Sequence, residues 1–146
     1  MNTSLGALLQ VKGKAVTTIG PDATVFDAVN SMENSRIGSL LVVDAKGAIA
    51  GMLTERDCLR KVLLKERNLR KVKVGEVMST PVFTLPPETV IEDCMKLMTE
   101  KRVRHLPVVE QGKLLGLISI GDVVKFLCSE REQDIANLEK YITGSI

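Results

Sequence analysis

Aromatic side chains are nearly absent: the 146 residues hold no Trp, one Tyr and three Phe. A groove that stacks single-stranded bases needs several rings, so this scarcity argues against nucleic acid as a partner. It also means that any core must be built from Val, Leu, Ile and Met. Histidine occurs once, as His105, which argues against a histidine-based metal centre. The three cysteines, Cys58, Cys94 and Cys128, are odd in number, far apart and free of a C-x-x-C pair. That is neither a disulfide framework nor a zinc site. It reads as reduced thiols filling small buried spaces in a cytoplasmic protein. A net charge of +2 is too weak to draw nucleic acid or an anionic membrane. No apolar run reaches the ~18–20 residues of a membrane span. The first arginine is Arg36, and no charged segment followed by a long apolar stretch opens the chain, so no targeting segment is read. No nucleophile–base pair, no metal-ligand cluster and no Gly-x-x-x-x-Gly-Lys loop occurs; the chain is not read as an enzyme, and no catalytic or metal residue is assigned.

What is present is a repeat. Thr18 matches Thr84, Asp27 matches Asp93, Met32 matches Met98, Arg36 matches Arg102 and Leu40 matches Leu106, each pair 66 apart. After the turns "DAKG" and "EQG" the offset falls to 65, pairing Gly51 with Gly116, Thr54 with Ser119 and Asp57 with Asp122. Around "PDATV" and "PPETV" the register is ambiguous by one. A fainter echo precedes each copy, "LGALL" against "VGEVM". Each copy predicts a short strand ("AVTTI", "VFTL") and then a helix. Ala23–Glu33 places Val25, Ala28, Val29 and Met32 at helical spacing, and the counterpart holds Ile91, Cys94, Met95 and Met98. Thr24 and Thr89 are read as helix caps, the latter in a capping box with Glu92. Two strands around a tight turn follow, apolar enough for burial on both faces. A last helix spans about Glu55–Leu64 in one copy and Ile120–Cys128 in the other. The order is β-α-β-β-α, twice.

The expected fold class is therefore α/β (α+β). Units of ~50 residues bury little core alone, so the two are expected to pack with pseudo-twofold symmetry. The expected division is 1–65 as the first domain with an N-terminal helical segment, 66–80 as a linker, 81–128 as the second domain and 129–146 as a C-terminal helix. The charged run "KERNLRKVK" is read as a solvated connection. Ile135, Leu138 and Ile142 fall on one face of the last helix.

The repeated stretches "GMLTERD" and "GLISIGD" set a glycine on a strand, a hydroxyl at a helix N-cap and an aspartate three residues later. One copy alone reads as a capping box with Asp in place of Glu. The same geometry also suits a ligand. Helix-terminal N–H groups and the Thr54 or Ser119 hydroxyl would hold a phosphate. The Asp57 or Asp122 carboxylate, an acceptor only, would take both hydroxyls of a ribose. Arg56 and Arg60 in the first copy, and Lys101, Arg102, Arg104 and His105 in the second, place positive charge nearby. Arg104 and His105 are candidate phosphate holders. Ile37, Gly38, Val103 and Pro107 offer apolar and backbone contacts for a purine without aromatic rings.

With these residues in view, the chain resembles a tandem pair of cystathionine-β-synthase-type (CBS) domains, a Bateman module, over about Leu5–Leu127. The resemblance implies clefts for an adenosyl ligand: AMP, ADP, ATP, NAD(H) or S-adenosylmethionine, held as a regulatory ligand and not as a catalytic cofactor. It assigns ribose to Asp57 and Asp122, phosphate to Thr54 and Ser119, and the vicinity of adenine to Thr18 and Thr84. It implies a homodimer that senses energy or redox state and acts on a protein in trans, as in stand-alone bacterial members. Two departures make the clefts unequal. The first copy has Gly38-Ser39 where the second has Arg104-His105, and Arg56 where the second has Gly121. A ligand-free structural or protein-interaction module of the same fold is the alternative.

Overall fold

The structure, a computed structural model, describes residues 3–143. In chain order it contains α1 (Leu5–Lys12), β1 (Thr18–Ile19), α2 (Val25–Ser35), β2 (Ser39–Val43), β3 (Ile49–Thr54), α3 (Glu55–Cys58) continued by a π-helical turn (Leu59–Leu63), α4 (Val74–Val77), α5 (Ile91–Lys101), β4 (His105–Glu110), β5 (Lys113–Ser119) and α6 (Ile120–Thr143). The chain divides into two compact units, Ala15–Phe83 and Met1–Lys14 with Thr84–Ile146. This grouping differs from the expected division. Residues 3–14 group with the second repeat, and residues 66–80 with the first.

In the unit Ala15–Phe83, β1 runs parallel to β2, and β2 pairs antiparallel with β3. Thr24 caps α2, its hydroxyl accepting the Asp27 N–H at 3.1 Å. The core joins Val25, Ala28 and Met32 of α2 to Leu40, Val42 and Leu53 of the hairpin. Val29, counted in that apolar face, is 38% exposed. Val72, Val74 and Val77 complete the core, so the charged run does not float. Its carbonyls at Leu69 and Val72 accept the N–H groups of Phe26 and Val25. Arg70 lies 3.8 Å over the Phe26 ring, a cation–π contact.

The unit Met1–Lys14 with Thr84–Ile146 repeats this plan with changes. β4 and β5 form a two-stranded antiparallel sheet. The expected strand "VFTL" is reduced to one parallel bridge between Leu85 and Val108; Pro86 and Pro87 follow at once and cannot donate ladder bonds. α5 begins at Ile91, one residue later than a Thr89 cap would start it. Val90 is the N-cap and makes no side-chain cap bond, so the Thr89–Glu92 capping box does not form. Thr89 instead accepts the Leu5 N–H through its carbonyl. This fixes the ambiguous register at 66, with Thr24 equivalent to Val90. The last two expected helices are one continuous α6.

The echo upstream of each repeat is the feature that closes each unit. Leu5 and Gly6 donate to Thr89 O and Pro87 O; Val74 and Gly75 donate to Ala23 O and Pro21 O. The short helices α1 and α4 thus occupy equivalent places. The repeated glycines make room for them. A Cβ on Gly116 would stand 2.6 Å from a Leu9 methyl, and one on Gly51 would stand 2.6 Å from Met78 Sδ and 3.1 Å from Ser79 O. Gly51→Ala should lower stability by about 1–3 kcal/mol through overpacking. In contrast, Arg102 ends α5 at φ 54°, a conformation that costs L residues about 1–2 kcal/mol. Arg102→Gly should match or exceed the parent. Urea denaturation of the two variants checks both directions.

Candidate functional site

Each unit brings its repeated residues to a strand-to-helix corner. In the first, Ser39 pairs with Thr54 across the hairpin, and the Glu55 N–H donates to Gly38 O at 3.0 Å. In the second, His105 pairs with Ser119, and the Ile120 N–H donates to Arg104 O at 2.9 Å. Both hydroxyls cap as expected. The Thr54 hydroxyl accepts the Asp57 N–H at 3.1 Å while Asp57 accepts the Thr54 N–H at 3.1 Å. The Ser119 hydroxyl accepts the Asp122 N–H at 3.1 Å while Asp122 accepts the Ser119 N–H at 2.8 Å. These reciprocal bonds satisfy N–H groups that a helix start leaves open.

Beyond the cap the corners diverge. Asp57 is buried. The Ser79 hydroxyl lies 2.9 and 3.1 Å from its two oxygens, and Lys61 Nζ lies 3.2 Å from Oδ1. Lys61 also donates to Val77 O at 2.9 Å, so it ties the carboxylate to α4. With a backbone N–H, a hydroxyl and an ammonium converging on it, this carboxylate has most of its acceptor capacity filled. In this structure the carboxylate joins the start of α3 to α4, through Lys61, and to Ser79 just past it. Asp122 side-chain exposure is 22% against 10% for Asp57. Its main partner is Lys12 of α1, with Nζ 2.5 Å from Oδ2 and a second bond from Nζ to Leu117 O. Partial burial works against ionisation of Asp122, but the Lys12 and Ser119 bonds outweigh it and hold its carboxyl below the usual value.

The second corner also gathers charge. His105, half-buried, is pushed below the ordinary imidazole value first by burial, then by the Lys12 and Arg104 charges, with Asp122 opposing. It is therefore a neutral donor at pH 7 rather than a cation. Arg104 and Gly121 are exposed, and Pro107 is buried. The Leu85 N–H donates to Pro107 O at 3.1 Å, which keeps exposed Thr84 next to β4; Val103 precedes that strand, half-buried. In the first unit Thr18 and Arg56 are exposed, Ile37 and Gly38 half-buried and Ser39 buried. Lys12, Lys61 and Ser79 are absent from the expected set. Lys61 was visible as the i+4 partner of Asp57; the other two sit in or just after the echo segments.

Cys58 and Cys94 are buried, whereas Cys128 is exposed, against the expectation that all three fill the interior. Burial raises the Cys58 thiol and lifts Cys94 to about 11, so neither is a reactive thiolate at pH 7. Among the described residues no group of acidic, His or Cys side chains is arranged to hold a metal ion, and no helix is long and apolar enough to cross a membrane.

The duplicated unit, the capped corners and the paired closing helices define a tandem small-domain module, and comparison with known proteins identifies its class. The CBS domain family matches residues 10–64 and 74–129; the chain belongs to that family. It is 38% identical to the "CBS domain-containing protein CBSX3, mitochondrial" of Arabidopsis thaliana, over 98% of this chain and 73% of that one. A solved protein with CBS domains from Burkholderia ambifaria is 44% identical, with a TM-score of 0.83 over 87% of this chain and 95% of that one. A hexameric CBS-CP12 protein from bloom-forming cyanobacteria is 29% identical, with a TM-score of 0.75 over 85% and 67% of the two chains. Modules of this class are generally regulatory and bind ligands, and this chain's relatives are mostly CBS-domain proteins rather than enzymes.

Two outcomes test the site geometry. Asp57→Ala should cost about 2–3 kcal/mol by losing several charge-assisted bonds and leaving the Thr54 N–H open, and Asp122→Ala about 1 kcal/mol; denaturant titration of both ranks them. His105 sets a pH window. Its folded pKa lies below its unfolded value, so its contribution is complete above about pH 6.5 and falls as pH drops below it. His105→Gln should flatten the loss of melting temperature between about pH 6.5 and pH 5, a range above the titration of Asp122.

Proposed function

We propose that this chain is a regulatory module whose ligand is an adenosine nucleotide or related adenosyl compound, and that the corner of the second repeat is the main contact. The observation that carries this is the inequality of the two aspartates. Asp57 is enclosed by Ser79 and Lys61, whereas Asp122 is more open, in a neighbourhood shared with Lys12, Arg104 and His105. A ribose diol competes for the Asp122 carboxylate. A phosphate takes the Ser119 hydroxyl and the N–H groups opening the 24-residue α6, with Arg104 as the charged partner and His105 as a neutral donor. Thr84, Val103 and Pro107 border the place left for adenine, and exposed Gly121 leaves the helix start unobstructed. Thr18, Ile37, Gly38, Ser39, Thr54 and Arg56 are the corresponding first-repeat set, and they serve a weaker site or none.

In this reading the ligand competes with Lys12 for Asp122, and so alters how α1 is held. A partner protein in trans reads that change as energy or redox state. The protein acts as a homodimer in the cytoplasm, a location that its unpaired cysteines support. The ligand-free interaction module is the competing reading; the enclosure of Asp57 favours it for the first corner alone.

The test is a thermal-shift panel of AMP, ADP, ATP, NAD(H) and S-adenosylmethionine with guanine nucleotides as controls. At 100 times the dissociation constant a true ligand stabilises by about 2.7 kcal/mol. One adenosyl compound should raise the melting temperature in the parent and in Asp57→Asn, and the shift should vanish in Asp122→Asn and shrink in Arg104→Ala. No shift with any adenosyl compound overturns the reading.

A further inference from the structure

The two units close their corners by different means, and the difference singles out Lys12. In the unit Ala15–Phe83, Ser79 does so with two groups fixed to the chain. Its N–H donates to Met52 O at 2.8 Å, and its hydroxyl donates to Asp57. In the other unit the residue that matches Met52 is Leu117, at the same offset of 65 as Gly51 and Gly116. There one ammonium makes both contacts: Lys12 Nζ donates to Leu117 O and to Asp122 Oδ2. A lysine ammonium rides on a flexible four-carbon stem, so it can exchange one acceptor for another while its helix stays in place. It carries three donors, of which two are engaged among the described residues. Lys61 of the first unit also bridges a carboxylate and a carbonyl. There, however, Ser79 keeps Asp57 occupied whether or not Lys61 lets go. In the second corner the release of a single side chain leaves Asp122 with the Ser119 N–H and room for new donors.

We infer that Lys12 changes partners when ligand binds, from the Asp122 carboxylate to a ligand phosphate, and so restricts the site to phosphorylated adenosine compounds. The inference rests on the nucleotide reading of the second corner. In the empty protein Lys12 neutralises Asp122. When a ribose diol takes that carboxylate, Lys12 keeps Leu117 O and turns its freed donors to the phosphate. Lys12, Arg104 and Asp122 all act electrostatically on His105, so two cations and one carboxylate share a neighbourhood. With Asp122 committed to the diol, both cations are left to stabilise an anionic group. A nucleoside without phosphate must displace Lys12 and gains nothing from it afterwards. S-adenosylmethionine brings a sulfonium toward the same two cations, a like-charge contact. Lys12 therefore acts with opposite signs on ligands that differ only in the phosphate.

Calorimetric titration of adenosine, AMP, ATP and S-adenosylmethionine into the parent, Lys12→Met and Lys12→Arg reads this directly. In Lys12→Met, AMP and ATP should bind about tenfold more weakly than in the parent, while adenosine binds several-fold more tightly. Lys12→Arg should keep the parent's preference for phosphate. S-adenosylmethionine should bind the parent no more tightly than adenosine does. The ratio of nucleotide to nucleoside affinity within one variant cancels any loss of stability at α1, so a merely structural lysine leaves that ratio unchanged. A lysine that only competes for Asp122 would, once removed, tighten nucleotide and nucleoside alike. An unchanged ratio, nucleotides bound as tightly by Lys12→Met as by the parent, or S-adenosylmethionine bound more tightly than AMP and ATP overturns the role of Lys12 and leaves the adenosyl site standing. If the parent binds none of the four compounds, the site itself falls, and the role of Lys12 with it.

Discussion

A carboxylate three residues past a strand end holds each unit together. It returns the bond of the hydroxyl that caps it, and so fixes the angle at which the helix leaves the strand. In each unit it also receives a donor from the segment that closes the fold. Asp57 is met by Ser79, just past α4, and Asp122 by Lys12 of α1. Remove either carboxylate, and both the corner and the closing segment lose their shared anchor.

The closing helices explain the spacing of the rest. Neither hairpin is wide enough to bury both faces by itself, so a short helix is laid across each one. The glycine three residues before the hydroxyl exists for that crossing, because Leu9 and Met78 occupy the space a Cβ would take. The motif is thus first a packing device. Its ligand chemistry, where it has any, is built from groups already engaged in the fold. That is why the two copies can diverge in function while keeping one backbone plan.

Much of this was legible from residue order. The β-α-β-β-α repeat, the tight turns and the Thr54–Asp57 and Ser119–Asp122 caps all follow from spacing and side-chain chemistry. Three features did not follow. The run from Lys65 to Lys73 looks solvated by charge count, yet Leu69 and Val72 face inward between the lysines and arginines. Thr89 has the right chemistry for a cap but lies one residue too early, and α5 begins without a side-chain cap. The grouping of α1 with the second repeat depends on contacts between residues some 80–110 positions apart, such as Leu5 with Thr89 and Lys12 with Asp122. The echo of "LGALL" and "VGEVM" hinted that the two segments were equivalent, but not which repeat each would close. At the site, the exchange of Gly38-Ser39 for Arg104-His105 and of Arg56 for Gly121 marked the clefts as unequal, but not which aspartate would be enclosed; the donors that separate the two come from outside the motif.

The inequality of Asp57 and Asp122 is the central claim, and binding stoichiometry tests it most directly. Calorimetric titration with the adenosyl compound that stabilises the protein should give one tight site per chain, and Asp122→Asn should remove it. Two equivalent sites per chain, or a single site that survives Asp122→Asn and disappears in Asp57→Asn, would contradict the account.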